Sequence, residues 1–201
     1  MRAAVTTKGR PSLIVVTGPS GAGKGTLIRH LLERVPDVEP TVSATTRDRR
    51  PGEVEGREYR FLTADEFLAG IEADEFLEQV VYVSGHRYGT LRSELERIRK
   101  RGHVPLLELE TEGALAVKEK EPGAVTIFIS APVDELERRL RERATESTGE
   151  IGERIALARE QLKQADAFDY VVENDELDRA LDELTERVRG LLAPAGTMSR
   201  Q

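Results

Sequence analysis

The sequence predicts an α/β fold with a parallel sheet at its core, on three observations. Apolar runs of the kind that are buried on both faces of a sheet recur at 13–16, 104–109, 125–129 and 170–172. Helical patterns fill the intervals between them. The first run, Leu13 to Val16, leads into a glycine-rich stretch and then into a helix-like segment, Leu27 to Leu32. In open parallel sheets ligands bind beyond the carboxyl ends of the strands, so that stretch marks a candidate site.

Taken in order, the first twelve residues carry a little positive charge but no apolar segment of signal-peptide length, and 1–10 reads as a tail. After the first strand comes Gly18-Pro19-Ser20-Gly21-Ala22-Gly23-Lys24-Gly25-Thr26. Glycines let successive backbone N–H groups point into one concavity, and the following helix N-terminus adds positive potential. Lys24 would bring an ammonium to the β and γ phosphates of a nucleoside triphosphate. The strict pattern places Ser or Thr directly after the lysine to hold Mg²⁺; here Gly25 stands there and Thr26 follows.

Two stretches interrupt the alternation. Thr41 to Thr90 is rich in Arg, Gly and Tyr with short strand-like pieces, and Arg138 to Arg154 is dense in charge. Insertions beyond core strands are natural places for a second substrate lobe and a closing lid. The first contains Ser43-Ala44-Thr45-Thr46-Arg47-Asp48-Arg49-Arg50-Pro51-Gly52-Glu53 and continues through Tyr59-Arg60-Phe61. Guanidiniums give planar, bidentate contact to phosphate oxygens, and Tyr59 adds a hydroxyl on a rigid ring, so the segment suits a phosphate monoester. A solvated basic loop explains the composition equally well. Glu108 and Glu110, two apart at the end of an apolar run, are expected on one side of a strand facing the phosphates. In the charged stretch, Glu135/Arg139, Glu137/Arg141 and Arg138/Glu142 are ion-pair neighbours on a helix. Arg139 and Arg143 are like charges on one face, unfavourable unless an anion arrives between them.

Composition narrows the function. The 201-residue chain has a net charge of −7, which argues against a general nucleic-acid binder and leaves any phosphate site local. With no cysteine, disulfides and thiolate metal sites are excluded, and His30, His86 and His103 show no ligand spacing. No segment approaches a membrane span, so a soluble cytoplasmic protein is the expectation.

The segment from Ser43 to Phe61, together with the loop at Gly18, resembles the signature of guanylate kinases, S-x-T-T-R-x-x-R-x-G-E-x-x-G-x-x-Y-x-F. Later family elements follow in order as Phe76-Leu77-Glu78, Arg87-Tyr88-Gly89-Thr90, Leu106-Leu107-Glu108-Leu109-Glu110, Arg139-Leu140-Arg141-Glu142-Arg143 and Glu173-Asn174-Asp175. The resemblance spans about 11–191 and implies a P-loop nucleoside monophosphate kinase fold, with a GMP-binding lobe at about 41–88, a lid at about 138–154 and tails at 1–10 and 192–201. It implies transfer of the γ-phosphoryl group of ATP to GMP or dGMP, with Mg²⁺. Position by position it implies ATP contacts from residues 18–26 and Asn174. Arg47, Arg50, Tyr59 and Tyr88 match ligands of the GMP phosphate. Ser43, Glu78 and Thr90 match groups around guanine, and Glu110 joins the GMP site. Lys24, Arg139, Arg143 and Arg154 match the catalytic cations. The metal is implied to be held through phosphates, with Thr26 and Glu108 or Glu110 acting directly or through water.

A carboxylate can accept two parallel hydrogen bonds from guanine N1–H and its amino group, whereas adenine offers a bare acceptor; Glu78 would therefore select the base. Three departures from the family pattern stand out: one extra residue between Glu78 and Tyr88, Arg49 in place of Pro, and Ala144 in place of Gly. A one-residue shift turns a strand side chain to the other face, which makes Gln79 the competing position. Two rival functions are a same-fold kinase acting on ribose 1,5-bisphosphate and a non-catalytic module that binds phosphorylated partners. Oligomeric state, monomer or homodimer, is open.

Overall fold

A computed structural model of the chain describes residues 9–82, 84–142 and 148–193, with side chains from 151 in the last segment. It is an α/β protein. The chain divides into two compact units, one of residues 1–36 with 107–201 and one of 37–106.

A five-stranded sheet has the order β2-β7-β1-β8-β9, comprising β2 (Val38–Pro40), β7 (Val104–Glu108), β1 (Leu13–Thr17), β8 (Ala124–Ser130) and β9 (Tyr170–Glu173). The pairs β2/β7, β1/β8 and β8/β9 are parallel. Every residue of β1 is fully buried, which is why this strand reads as a continuous apolar run rather than an alternating one. In the first unit, α1 (Lys24–Arg34) packs against α7 (Leu177–Leu192), and α4 (Thr111–Lys120) lies on β1 and β8. Helix α5 (Val133–Glu142) packs against α6 (Thr148–Leu162). Arg143 and Ala144 lie outside the described residues, as do the tails expected at 1–10 and 192–201 except for 9–10 and 192–193.

The second unit is built on a four-stranded sheet in the order β4-β3-β6-β5: β4 (Arg60–Phe61), β3 (Ala44–Thr45), β6 (Arg87–Leu91) and β5 (Phe76–Val81). Strands β3 and β4 are parallel, while β6 runs antiparallel to both β3 and β5. Helix α2 (Ala64–Glu72) starts at a reciprocal cap, the Thr63 hydroxyl accepting from the Glu66 N–H and the Glu66 carboxylate accepting from the Thr63 N–H. Its Phe67 stacks on Phe76 at 4.3 Å between ring centres, and with Ala44 they form this unit's core. Helix α3 (Arg92–Lys100) carries a buried carboxylate, Glu94, only 1% exposed. It accepts the Val42 N–H at 3.1 Å and two bonds from Arg97. Those bonds offset the desolvation that would otherwise keep an acid out of a core, and the carboxyl is held below its ordinary range.

Candidate active site

The glycine loop joins β1 to α1, and its shape depends on conformations that side chains disfavour. Gly23 stands at the helix N-cap in the left-handed region, with φ +86°. A Cβ there would overlap the Asn174 amide nitrogen, and a Cβ on Gly18 would overlap the Ile129 carbonyl. Asn174, 3% exposed, follows β9 and donates its side-chain N–H to the Ala22 carbonyl at 2.7 Å. The amide thus props the underside of the loop. By contrast a Cβ at Gly25 would meet nothing within 4 Å. Space therefore does not dictate the glycine after the lysine, and the hydroxyl comes one residue later, at Thr26.

Lys24 Nζ donates to the Gly18 carbonyl at 2.7 Å and to that of Pro19 at 3.2 Å, so the ammonium arches over the loop it follows. A cavity of about 350 Å³ is lined by Pro19, Ser20, Gly21, Gly23, Lys24, Gly25, Thr26, Arg29, Glu108 and Glu110. Glu108 and Glu110 share this cavity but not a strand face. Strand β7 ends at Glu108, and Glu110 is the N-cap of α4. The expectation of one strand side is corrected: the chain turns after Glu108 to start a helix, and the turn, not strand periodicity, brings both carboxylates in. Glu108 opens onto the cavity, yet surrounding protein removes enough water to push its carboxyl above the ordinary range. The Lys24 ammonium opposes that rise and the Glu110 charge adds to it. Glu110 also receives a long bond, 3.5 Å, from Gln161.

On α5, Arg139 Nε donates to Glu135 at 2.7 Å, while its two terminal nitrogens reach the carbonyls of Gly21 at 3.4 Å and Asn174 at 3.2 Å. This arginine is laid against the phosphate loop rather than spread on a solvated face. Its carboxylate partner Glu135 also binds Arg138, and these bonds hold the Glu135 carboxyl down at about 2. Arg154 on α6 donates to the Ser20 hydroxyl at 2.9 Å. Arg143, the remaining lid cation named from the sequence, lies outside the described residues.

The second unit holds the other candidate residues. Arg47, with an 11% exposed side chain, donates from both terminal nitrogens to the two Glu53 oxygens, at 3.1 and 2.8 Å. Its guanidinium lies 5.4 Å from the Tyr59 ring centre. Tyr59 and Tyr88 meet edge to face at 5.7 Å. Arg50 is exposed, its backbone N–H bound to Glu53 at 2.7 Å, and Ser43 is partly exposed in the segment before β3. Glu78 is 9% exposed and accepts the Thr90 hydroxyl at 2.7 Å across the β5/β6 pair. Gln79 faces solvent. The register slips between Phe76 and Glu78, so a bulge precedes the glutamate and aims it inward.

Three residues absent from the sequence-based set belong beside these sites. Arg29 lines the loop cavity; it lies three residues beyond Thr26 on one helix face, a spacing visible in the sequence. Glu53 grips Arg47, and Glu94 anchors Val42 beside Ser43. Glu53 closes the Arg-x-x-Arg-x-Gly-Glu pattern read from the sequence, which marks its position but not its partner; Glu94 stands 52 residues from Val42, and residue pattern carried no signal for it.

A buried strand that runs into a glycine loop, with a lysine and two carboxylates about one cavity, defines a P-loop nucleotide-binding α/β protein. The family model for guanylate kinase matches residues 10–190. Guanylate kinases from Synechococcus sp. (strain JA-3-3Ab) and Rubrobacter xylanophilus are 49% and 48% identical over 179 and 185 residues. Those alignments cover 89% and 92% of this chain and 81% and 96% of the relatives. The crystal structure of guanylate kinase from Anaplasma phagocytophilum superposes with a TM-score of 0.68 at 31% identity, covering 91% of this chain and 87% of that one. The chain belongs to the guanylate kinase family.

Proposed function

We propose that this chain transfers the γ-phosphoryl group of ATP to GMP or dGMP, giving ADP and GDP or dGDP, a step of purine nucleotide metabolism that feeds GTP supply. The observation that carries the acceptor is the buried pair of Glu78 and Thr90. A carboxylate held in place by a hydroxyl offers lone pairs to the adjacent N1–H and amino donors of guanine, and it leaves adenine's bare N1 facing a negative charge. Arg47, Arg50, Tyr59 and Tyr88 supply donors for the acceptor phosphate, with Ser43 near the base.

The acceptor is already an anion, so the reaction needs no side-chain nucleophile and no strong base; position and charge neutralisation suffice. Residues 18–26 offer backbone donors to the triphosphate and Lys24 its ammonium, while Asn174 supports the loop from beneath. Arg139, Arg143 and Arg154 are the cations that meet the charge spread over the transferring group. Mg²⁺ supplies further neutralisation of the triphosphate when bound. The donor set suits such an ion: the Thr26 hydroxyl and the Glu108 and Glu110 carboxylates are hard oxygen ligands around one cavity. Among the described residues no group of three or more His, Asp or Glu side chains could cage a metal, which favours attachment through phosphates and water, with Glu110 also available to the acceptor.

No helix among the described residues is long and apolar enough to cross a membrane. The net charge of −7 favours free nucleotides over nucleic acid as ligands, and we place the activity in the cytoplasm. The test is ADP release across GMP, dGMP, IMP, AMP, UMP, CMP and ribose 1,5-bisphosphate, with and without Mg²⁺. Turnover with GMP and dGMP that needs Mg²⁺ is expected. Preference for the sugar bisphosphate would move the chain to another acceptor, and binding of GMP without turnover would make it a non-catalytic module.

A further inference from the structure

We propose that Glu53, which touches neither nucleotide in the scheme above, is a positioning residue that decides which edge of Arg47 is offered to the acceptor phosphate. A guanidinium has five N–H donors in a fixed plane. Glu53 takes one from each terminal nitrogen of Arg47, and the Asp48 carbonyl takes the second on Nη1 at 2.7 Å. What remains is Nε–H and one Nη2–H, side by side on the other edge and spaced for two phosphate oxygens. The Tyr59 ring lies against this guanidinium.

The same carboxylate also sets Arg50. One Glu53 oxygen accepts the Arg50 N–H at 2.7 Å, and the Glu53 N–H donates to the Arg50 carbonyl at 3.1 Å, closing a four-residue turn through Gly52 at φ +90°. Glu53 and Arg47 side chains are 17% and 11% exposed, so the pair is shielded from water on most sides. An acid beside a phosphate site opposes anion binding by charge. Its retention here is explained by geometry: with the outer fork filled, Arg47 is held in one rotamer and less ordering is left for binding.

The inference rests on reading Arg47, Arg50, Tyr59 and Tyr88 as the acceptor-phosphate site. In the full chain, Glu53→Gln places an amide donor against a guanidinium donor, and Glu53→Asp keeps the charge on a stem too short to span the Arg47 fork and the Arg50 N–H together. Both should raise KM for GMP by about 10- to 30-fold with a smaller fall in kcat and no change in ATP affinity. In an Arg47→Lys background the same Glu53 substitutions should raise KM for GMP by clearly less than in the parent, because the edge they control is gone and only their hold on Arg50 is left to lose. Full additivity of the two changes, or a loss confined to thermal stability, overturns the positioning role. A GMP KM left unchanged by Arg47→Lys overturns the phosphate-site reading and the inference with it; a KM raised by Arg47→Lys and untouched by Glu53→Gln overturns the inference alone.

Discussion

The two units of this chain build their candidate phosphate sites from different materials. In the unit of residues 1–36 and 107–201 the candidate cradle is main chain: a loop with three glycines at positive φ, braced by the amide of Asn174 and by Arg139, with Lys24 as its ammonium. In the unit of residues 37–106 it is side chain: Arg47 held by the Glu53 carboxylate and packed on the Tyr59 ring, which meets Tyr88 edge to face, with the base pocket beside it built likewise from Glu78 and Thr90. A main-chain cradle fixes its donors by backbone conformation, and its weakness is a Cβ in the wrong place. A side-chain cradle fixes donors by hydrogen bonds among charged groups, and its weakness is loss of one acceptor. The first should therefore respond to changes of shape and to its lone ammonium, the second to changes of hydrogen-bond chemistry at constant shape.

The largest expected effect is at the ammonium. Lys24→Ala should lower kcat by about 10³-fold or more while unfolding stays within about 2–4 °C of the parent, because the group acts on phosphate charge and not on packing. Near-parental turnover in this variant would mean that backbone donors suffice, and the contrast between the units would deepen. Next comes a change of chemistry without shape in the second unit. Glu78→Gln should reduce kcat/KM for GMP by about 10²-fold and spare ATP binding, since an amide cannot accept both guanine donors. Gln79→Ala, on the exposed face of β5, should leave both untouched. The opposite pattern would place the base contact on the other face of the strand and break the comparison.

The smallest effect concerns pH in the first unit. The folded-state pKa of Glu108 is raised, so as pH climbs past the ordinary 4.5 the unfolded chain releases this proton first and the folded state loses stability relative to it, until the folded group ionises too. Glu108→Gln removes that loss. The variant should melt slightly higher than the parent at pH 7 and with no advantage below about pH 4.5, as followed by thermal denaturation across that range. An advantage that is independent of pH would assign the effect to packing.

Much of the fold was legible because buried parallel strands are written as unbroken apolar runs: Leu13–Thr17, Val104–Glu108, Ala124–Ser130 and Tyr170–Glu173 all had that mark. Strand β2 did not. It spans three residues, includes Glu39 and Pro40, and exists because Val38 to Pro40 pair with Val104 to Leu106. Nothing local in that segment signals a strand. At the candidate site, residue types and order were readable, but their partners were not. The sequence presents Glu108 and Glu110 as alternate positions of a strand, whereas the chain bends between them into α4. Glu94 sits among arginines in a segment that resembles a solvated helix face, and only the fold reveals that it caps the Val42 N–H from a buried position. Backbone acceptors such as the carbonyls of Ala22 and Gly21 have no residue identity, so the bonds that Asn174 and Arg139 make to them are invisible before folding.

The brace beneath the glycine loop also bears on how the protein is made. The loop leaves the ribosome well before its braces: Arg139 bonds Gly21 across 118 positions and Asn174 bonds Ala22 across 152. Ile129, whose carbonyl leaves no room for a side chain at Gly18, is also far downstream. A nascent chain that has not yet reached Asn174 thus carries the loop's glycines without one of the groups that set their shape. The loop is encoded before its braces and finished after them, so affinity for a triphosphate should arrive late in synthesis and report that β9 has joined the sheet.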